Sequence, residues 1–237
     1  MAMGLANTDA VKWPPGTYLH RLTIQACDDL QAIAPRRRAE PGDILIHQGA
    51  LDRYVVLLQG GVFKVTALTS DGSESLLAIR VGGDLVGEMS ALNDLPRSAT
   101  VAACTESVYS VIHRRQLQTF LERQPSAALA LAGMVADRLR WANQFRVEFT
   151  AYSAKVRVAR VLVKMALAYG RWTPTGIEIG FELTQLELAS LCGAAQVTVQ
   201  KALRDFRRDG LIVTGYRSVT VADLAALRDA AELRGDM

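Results

Sequence analysis

Between Pro41 and Val111 the apolar residues come in short runs: Ile44-Leu45-Ile46, Tyr54 to Leu58, Val62 to Val65, Leu76 to Ile79 and Ala99 to Val111. Gly49, Gly60-Gly61, Asp71-Gly72 and Gly82-Gly83 divide them. Runs of that length at that spacing predict an antiparallel unit, a β-roll or jelly roll, with Asp71-Gly72 as a hairpin turn. After His113 the apolar period changes from two residues to between 3.5 and 3.6, which only helices satisfy. One chain therefore carries a strand-built unit followed by a helix-rich one, and the fold class is α+β.

After Pro125 a long helix runs to about Phe149. Leu131, Arg138 and Phe145, interleaved with Met134, Trp141 and Glu148, repeat every seven residues and predict a two-position coiled-coil seam with polar breaks. Such a seam implies a partner helix; the alternative is a helix packed on its own β-roll. Phe149 to Ser153 reads as a hinge. An amphipathic helix from Ala154 to Tyr169 follows, and then two brief strands around Ile177-Glu178-Ile179.

Thr184 and Glu187 form a capping box that starts the next helix. That helix stops near Cys192, Gly193 supplies a tight turn, and a further helix runs from Gln196 to about Asp209, before Gly210. Two short helices about a glycine-containing turn make a helix-turn-helix, with an ordinary helical hairpin as the bland alternative. Leu211 to Val213 and Ser218 to Val221 add a small hairpin, the wing, and a helix from Asp223 to about Leu233 closes the chain. The domains expected are an arm over 1–20, a β-roll over 21–124, a dimerisation helix and hinge over 125–152, and a winged helix-turn-helix over 153–237.

Half of the 237 residues are hydrophobic and 22% are charged, as in a soluble globular chain. A net charge of +3 permits a nucleic-acid partner without requiring one. Three scattered cysteines, Cys27, Cys104 and Cys192, offer neither a disulfide framework nor zinc spacing, which suits a reducing cytoplasm. His20, His47 and His113 form no ligand cluster, so metal chemistry of the cupin type is not indicated. No run approaches the roughly 18 apolar residues of a membrane span. Arg36-Arg37-Arg38, beside Glu40, reads as a solvated loop.

The stretch Asp84 to Val101 carries the chemistry. Gly87 permits a turn, Glu88 offers a carboxylate, and ten residues on Arg97 and Ser98 bring back a guanidinium and a hydroxyl. An Arg grips phosphate through paired charge-assisted hydrogen bonds, and an ionised Glu accepts from sugar hydroxyls. Met89 to Asn93 would form one helical turn between them. The simplest competing reading is a Glu88–Arg97 salt bridge across a hairpin.

Gly87, Glu88, Arg97, Ser98 and Ala99 resemble the phosphate-binding cassette of the cyclic-nucleotide-binding domain. The order of elements from Pro41 onward resembles the Crp/Fnr family of bacterial transcription regulators. The resemblance implies that Glu88 binds a ribose 2′-hydroxyl, with Arg97 and Ser98 on a cyclic phosphate and Met89 beside them. It places Arg138 and Asn143 over the base, and it implies a parallel homodimer. No prosthetic group is required; the effector implied is a cyclic nucleotide, cAMP or cGMP. The cysteine group that holds an iron–sulfur cluster in some relatives is missing. Cyclic-AMP sensors of the family carry two consecutive hydroxyl residues, contributed by the two subunits, where this chain has Ala142 and Asn143. That departure leaves open a different ligand, no ligand, or a nucleotide-binding module that regulates a partner protein.

Base reading falls to Gln196, Val197, Gln200 and Lys201 at the start of the second helix of the pair, with Thr184, Thr198 and Arg204 as further DNA contacts. Relatives carry Arg, Glu and Arg where Gln196, Val197 and Lys201 stand, so a different operator is expected. The partners implied are double-stranded DNA with a pseudo-palindromic operator, a second copy of the chain and RNA polymerase, with no membrane.

Overall fold

The computed structural model describes residues 13–70 and 72–233. The predicted arm lies mostly in residues 1–12, outside the described residues, as does Asp71 of the predicted hairpin turn. A 3-10 turn (Leu19–Arg21) and α1 (Ile24–Ala32) lead in, the latter capped by the Thr23 hydroxyl. Then come β1 (Arg37–Ala39), β2 (Ile44–Ile46), β3 (Tyr54–Gly60), β4 (Val62–Leu68), β5 (Glu74–Val81) and β6 (Leu85–Val86). Helix α2 (Glu88–Asn93) precedes β7 (Thr100–Ala103) and β8 (Ser107–His113).

These strands form two antiparallel sheets, in the orders β1-β8-β3-β6 and β2-β7-β4-β5, which face each other as a roll. β3 shows why its sequence is a continuous apolar run instead of an alternating one. Val56 and Leu58 enter the roll interior with Phe63, whereas Val55 and Leu57 face outward into a second core with Tyr18, Leu30, Leu117 and Met134. A strand covered on both faces has no polar side to show. Two sequence expectations need correction. Arg37 and Arg38 pair with Tyr109 and Val108 as an edge strand, so the arginine run is not a loop. Ala99 to Val111 is two strands, broken at 104–106.

Beyond α3 (Arg114–Arg123), α4 (Pro125–Ala151) opens with Pro at its first position, where no amide hydrogen is needed. Its predicted seam is split, because Trp141 stays exposed and Phe145 half-buried. Leu131 and Met134 lie buried against the roll, Glu148 is buried further along, and Arg138 reaches the roll. The solvent face instead carries Leu129, Ala132, Ala136, Leu139, Asn143 and Arg146, at alternating steps of three and four. Core burial and a surface stripe both recur at helical spacing, and Leu131 and Met134 went to the chain's own core.

The C-terminal unit comprises α5 (Ala154–Tyr169), β9 (Gly170–Thr173), β10 (Gly176–Ile179), α6 (Gln185–Cys192), α7 (Gln196–Arg208), β11 (Ile212–Gly215), β12 (Ser218–Val221) and α8 (Leu224–Ala230). Its sheet order is β11-β12-β10-β9. Leu162, Cys192, Val199 and Phe206 fill the core between helices and sheet. This unit rests on the roll: Leu76 and Ile79 of β5 belong to its core, and the Tyr169 hydroxyl donates to the Ile79 carbonyl at 3.4 Å. The three cysteines are free, and burial pushes the Cys192 thiol up to about 12. No described helix is long and apolar enough to cross a membrane.

Candidate functional site

The cassette is built around Gly87. Its φ of +81° is a left-handed conformation, and a Cβ there would stand 2.6 Å from Arg97 Nη1 and 2.9 Å from Ile46 Cδ1. Only glycine fits both demands. The space so kept is filled by the Arg97 guanidinium. Nη1 donates to the Gly87 carbonyl at 2.8 Å and the Ser90 hydroxyl at 2.7 Å, and Nη2 donates to the Tyr54 carbonyl at 2.6 Å. The group also lies over the Tyr54 ring, 4.6 Å from its centroid.

Arg97 is 3% exposed, yet among the described residues it forms no ion pair. Its Nε is buried without an acceptor. Burial accordingly pulls its pKa down from the ordinary arginine value. A cation kept from water with neutral partners and one orphan donor is a socket for an anion.

Glu88 does not pair with Arg97, so the salt-bridge reading fails. Its Oε1 accepts from Arg138 Nη1 at 2.7 Å, and Arg138 Nη2 donates to Asp84 Oδ1 at 3.1 Å and to the Leu85 carbonyl at 2.9 Å. Arg80 approaches the other Asp84 oxygen at 3.9 Å. Burial raises the Asp84 carboxyl and outweighs both arginines. The cassette and α4 are therefore joined by a half-hidden charge network, in which Oε2 of Glu88 has no protein partner among the described residues.

Of the other expected ligand contacts, Ser98 and Met89 are exposed at the rim, with the Ser98 hydroxyl 3.8 Å from the Met89 sulfur. Ala99 is half-buried. Asn143 stands on the solvent face of α4, and within one chain it joins neither Glu88 nor Arg97. Sequence reading missed Ser90, Asp84 and Arg80. It also missed the Tyr54 carbonyl, which no side-chain pattern could reveal.

In the C-terminal unit the capping box forms as expected. The Thr184 hydroxyl accepts from the Glu187 amide at 3.1 Å, and the Thr184 amide donates to Glu187 Oε2 at 2.8 Å. Gly193 turns at φ +57° into α7. Val199, Ala202, Leu203 and Phe206 bury one face of α7, which leaves Gln196, Val197, Thr198, Lys201 and Arg204 exposed and Gln200 half-buried. A groove between α7 and the β11–β12 wing is lined by Gln200, Arg204, Arg207, Thr214 and Gly215. Lys201, Arg204 and Arg207 have no carboxylate partner among the described residues, whereas Arg208 pairs with Asp205 and Asp209, and Arg217 with Glu182. Unneutralised cations along an exposed helix suit a phosphate backbone.

Residues 36–124 match the model of the cyclic nucleotide-binding domain, and residues 156–230 match that of the Crp-like helix-turn-helix domain. The chain is 31% identical, over 73% of its length and 76% of the relative's, to a CRP-like cAMP-activated global transcriptional regulator of Mycobacterium tuberculosis. It is 28% identical to the cyclic AMP receptor protein of Thermus thermophilus, over 90% of this chain and 95% of that one. A crystal structure of a CRP-family transcriptional regulator, also from Thermus thermophilus, superposes with a TM-score of 0.71 at 27% identity, covering 83% of this chain and 96% of the other. With both domain models matched in order and a relative this similar, the chain belongs to the Crp/Fnr family of transcription regulators, which are DNA-binding proteins and not enzymes.

Proposed function

We propose that this chain is a homodimeric, sequence-specific regulator that binds a cyclic nucleotide, cAMP in the first instance, in the Gly87–Ala99 cassette. The observation that carries the ligand reading is Arg97, a buried guanidinium that among the described residues has no carboxylate partner and keeps an orphan Nε. A cyclic phosphate supplies the missing charge, Ser98 adds a hydroxyl at the rim, and the free Oε2 of Glu88 accepts from the ribose. The exposed stripe of α4 pairs with its copy, and Asn143, at a seam position, fixes parallel register. Gln196, Val197, Gln200 and Lys201 read bases, while Thr184, Thr198 and Arg204 hold the backbone. Two-fold symmetry places half-sites about 34 Å apart. RNA polymerase is the partner that responds to the bound dimer.

Thermal shift of the full chain against cAMP, cGMP and cyclic dinucleotides tests the ligand. Binding at 100 times Kd stabilises by about 2.7 kcal/mol, a readily measured rise. A flat response across the panel overturns it. One observation favours the runner-up, a non-cAMP anion: Ala142 has no group with which to bond a base, and Glu88 is half-occupied by Arg138. A rise with an anion other than cAMP would select that reading.

A further inference from the structure

Two buried arginines on α5, Arg157 and Arg160, have no place in the cassette or on the DNA face. Arg157 Nε donates to the Cys192 carbonyl at 2.8 Å and Nη2 to the Gly193 carbonyl at 2.9 Å. Its Nη1 donates to the Tyr152 carbonyl at 2.7 Å and the Phe149 carbonyl at 3.2 Å. One guanidinium thus gathers the C-terminal carbonyls of α4 and of α6, and it lies over the Phe149 ring, 4.7 Å from the centroid. Arg160 repeats the arrangement one turn on, holding Glu148 of α4 at 3.2 Å and the Ala231 carbonyl beyond α8 at 2.9 Å. These bonds fall on and beside the segment expected to be a hinge.

The other end of α6 is also held. Lys64 of β4 lies 2.6 Å from Glu187 Oε1, while Oε2 of the same carboxylate caps the helix through Thr184. The Lys64 side chain is 17% exposed, so water does little to weaken the pair. Helix α6 therefore spans from the roll to the end of α4, and α7 leaves it through the tight Gly193 turn.

We propose that α6 is a strut suspended at both ends, and that Lys64 and Arg157 are positioning residues that set the angle at which α7 meets DNA. The inference rests on α7 being the reading helix. The exposed face of α7 is left open by the roll, and loosening either end of α6 frees the angle of that face and degrades reading.

The test uses the full chain and a duplex selected from random sequence by the unaltered protein. Lys64→Ala and Arg157→Lys are each expected to lower the preference for that duplex over random DNA by about tenfold, the scale of a lost charge-assisted hydrogen bond. Binding to random DNA stays within about twofold, because neither side chain belongs to the phosphate face. Lys64→Arg restores the preference. Lys64 belongs to the other domain, so a role confined to the stability of the C-terminal unit would not move this ratio. An unchanged or raised preference in both variants overturns the strut. Gln196→Ala and Lys201→Ala, measured alongside, report separately on α7: if they too leave the preference intact, the reading-helix assignment has failed.

Discussion

At the scale of single residues, Arg97 joins the stability of the cassette to its proposed recognition of an anion. Arg97 closes the turn at Gly87 to β3 through three hydrogen bonds and keeps one buried donor, Nε, without an acceptor among the described residues. Arg97→Ala is therefore expected to abolish nucleotide binding and to cost about 2–4 kcal/mol of stability, because buried carbonyls lose a charged donor. Isothermal calorimetry and urea unfolding separate the two effects. A variant of unchanged stability would show that the carbonyls are satisfied otherwise. Gly193 is a second such point. Its left-handed φ and the Phe149 and Phe145 rings, 3.1 and 3.2 Å from where a Cβ would lie, predict that Gly193→Ala costs at least about 1–2 kcal/mol, measurable by thermal unfolding.

At the scale of elements, legibility followed burial. Helix α5, the capping box at Thr184 and the wing stood out in the sequence because each has a local signature: an apolar period, a Thr–Glu spacing, a turn between short β-branched runs. The seam on α4 was only partly legible, because Leu131, Met134 and Glu148 repeat as a dimer stripe would while serving the chain's own core, and Trp141 at the same spacing stays exposed. Only burial distinguishes the two faces. The arginines of α5 were legible in principle, since Arg157 and Arg160 interrupt an otherwise apolar face at Val156, Val158 and Ala159. Their acceptors are backbone carbonyls, which sequence does not display. The corrected stripe makes a prediction of its own. Leu139 is 62% exposed at its centre, so Leu139→Asp is expected to turn dimer into monomer in sedimentation while leaving the monomer folded. Persistence of the dimer would move the interface off this face.

At the scale of the whole molecule, the roll and the reading domain are joined by an ion pair that titrates. Burial alone would raise the Glu187 carboxyl, but its bonds to Lys64 and Thr184 outweigh burial and hold it below the ordinary range. A carboxyl whose folded pKa is depressed adds stability above its unfolded pKa, and that stability is lost as pH falls through the folded value. Asp84 has the opposite sign: burial raises it, so it opposes folding near neutrality and relents on acidification. Comparing the unaltered chain with Lys64→Ala cancels Asp84, which Lys64 does not touch. The stability difference between the two proteins should hold steady from pH 7 down to the ordinary glutamate pKa of about 4.3, then shrink as the pH falls further. Denaturant unfolding across that range measures it. A difference independent of pH would mean that Lys64 acts through the packing of its stem and not through the charge of Glu187, and the electrostatic half of the domain contact would have to be given up.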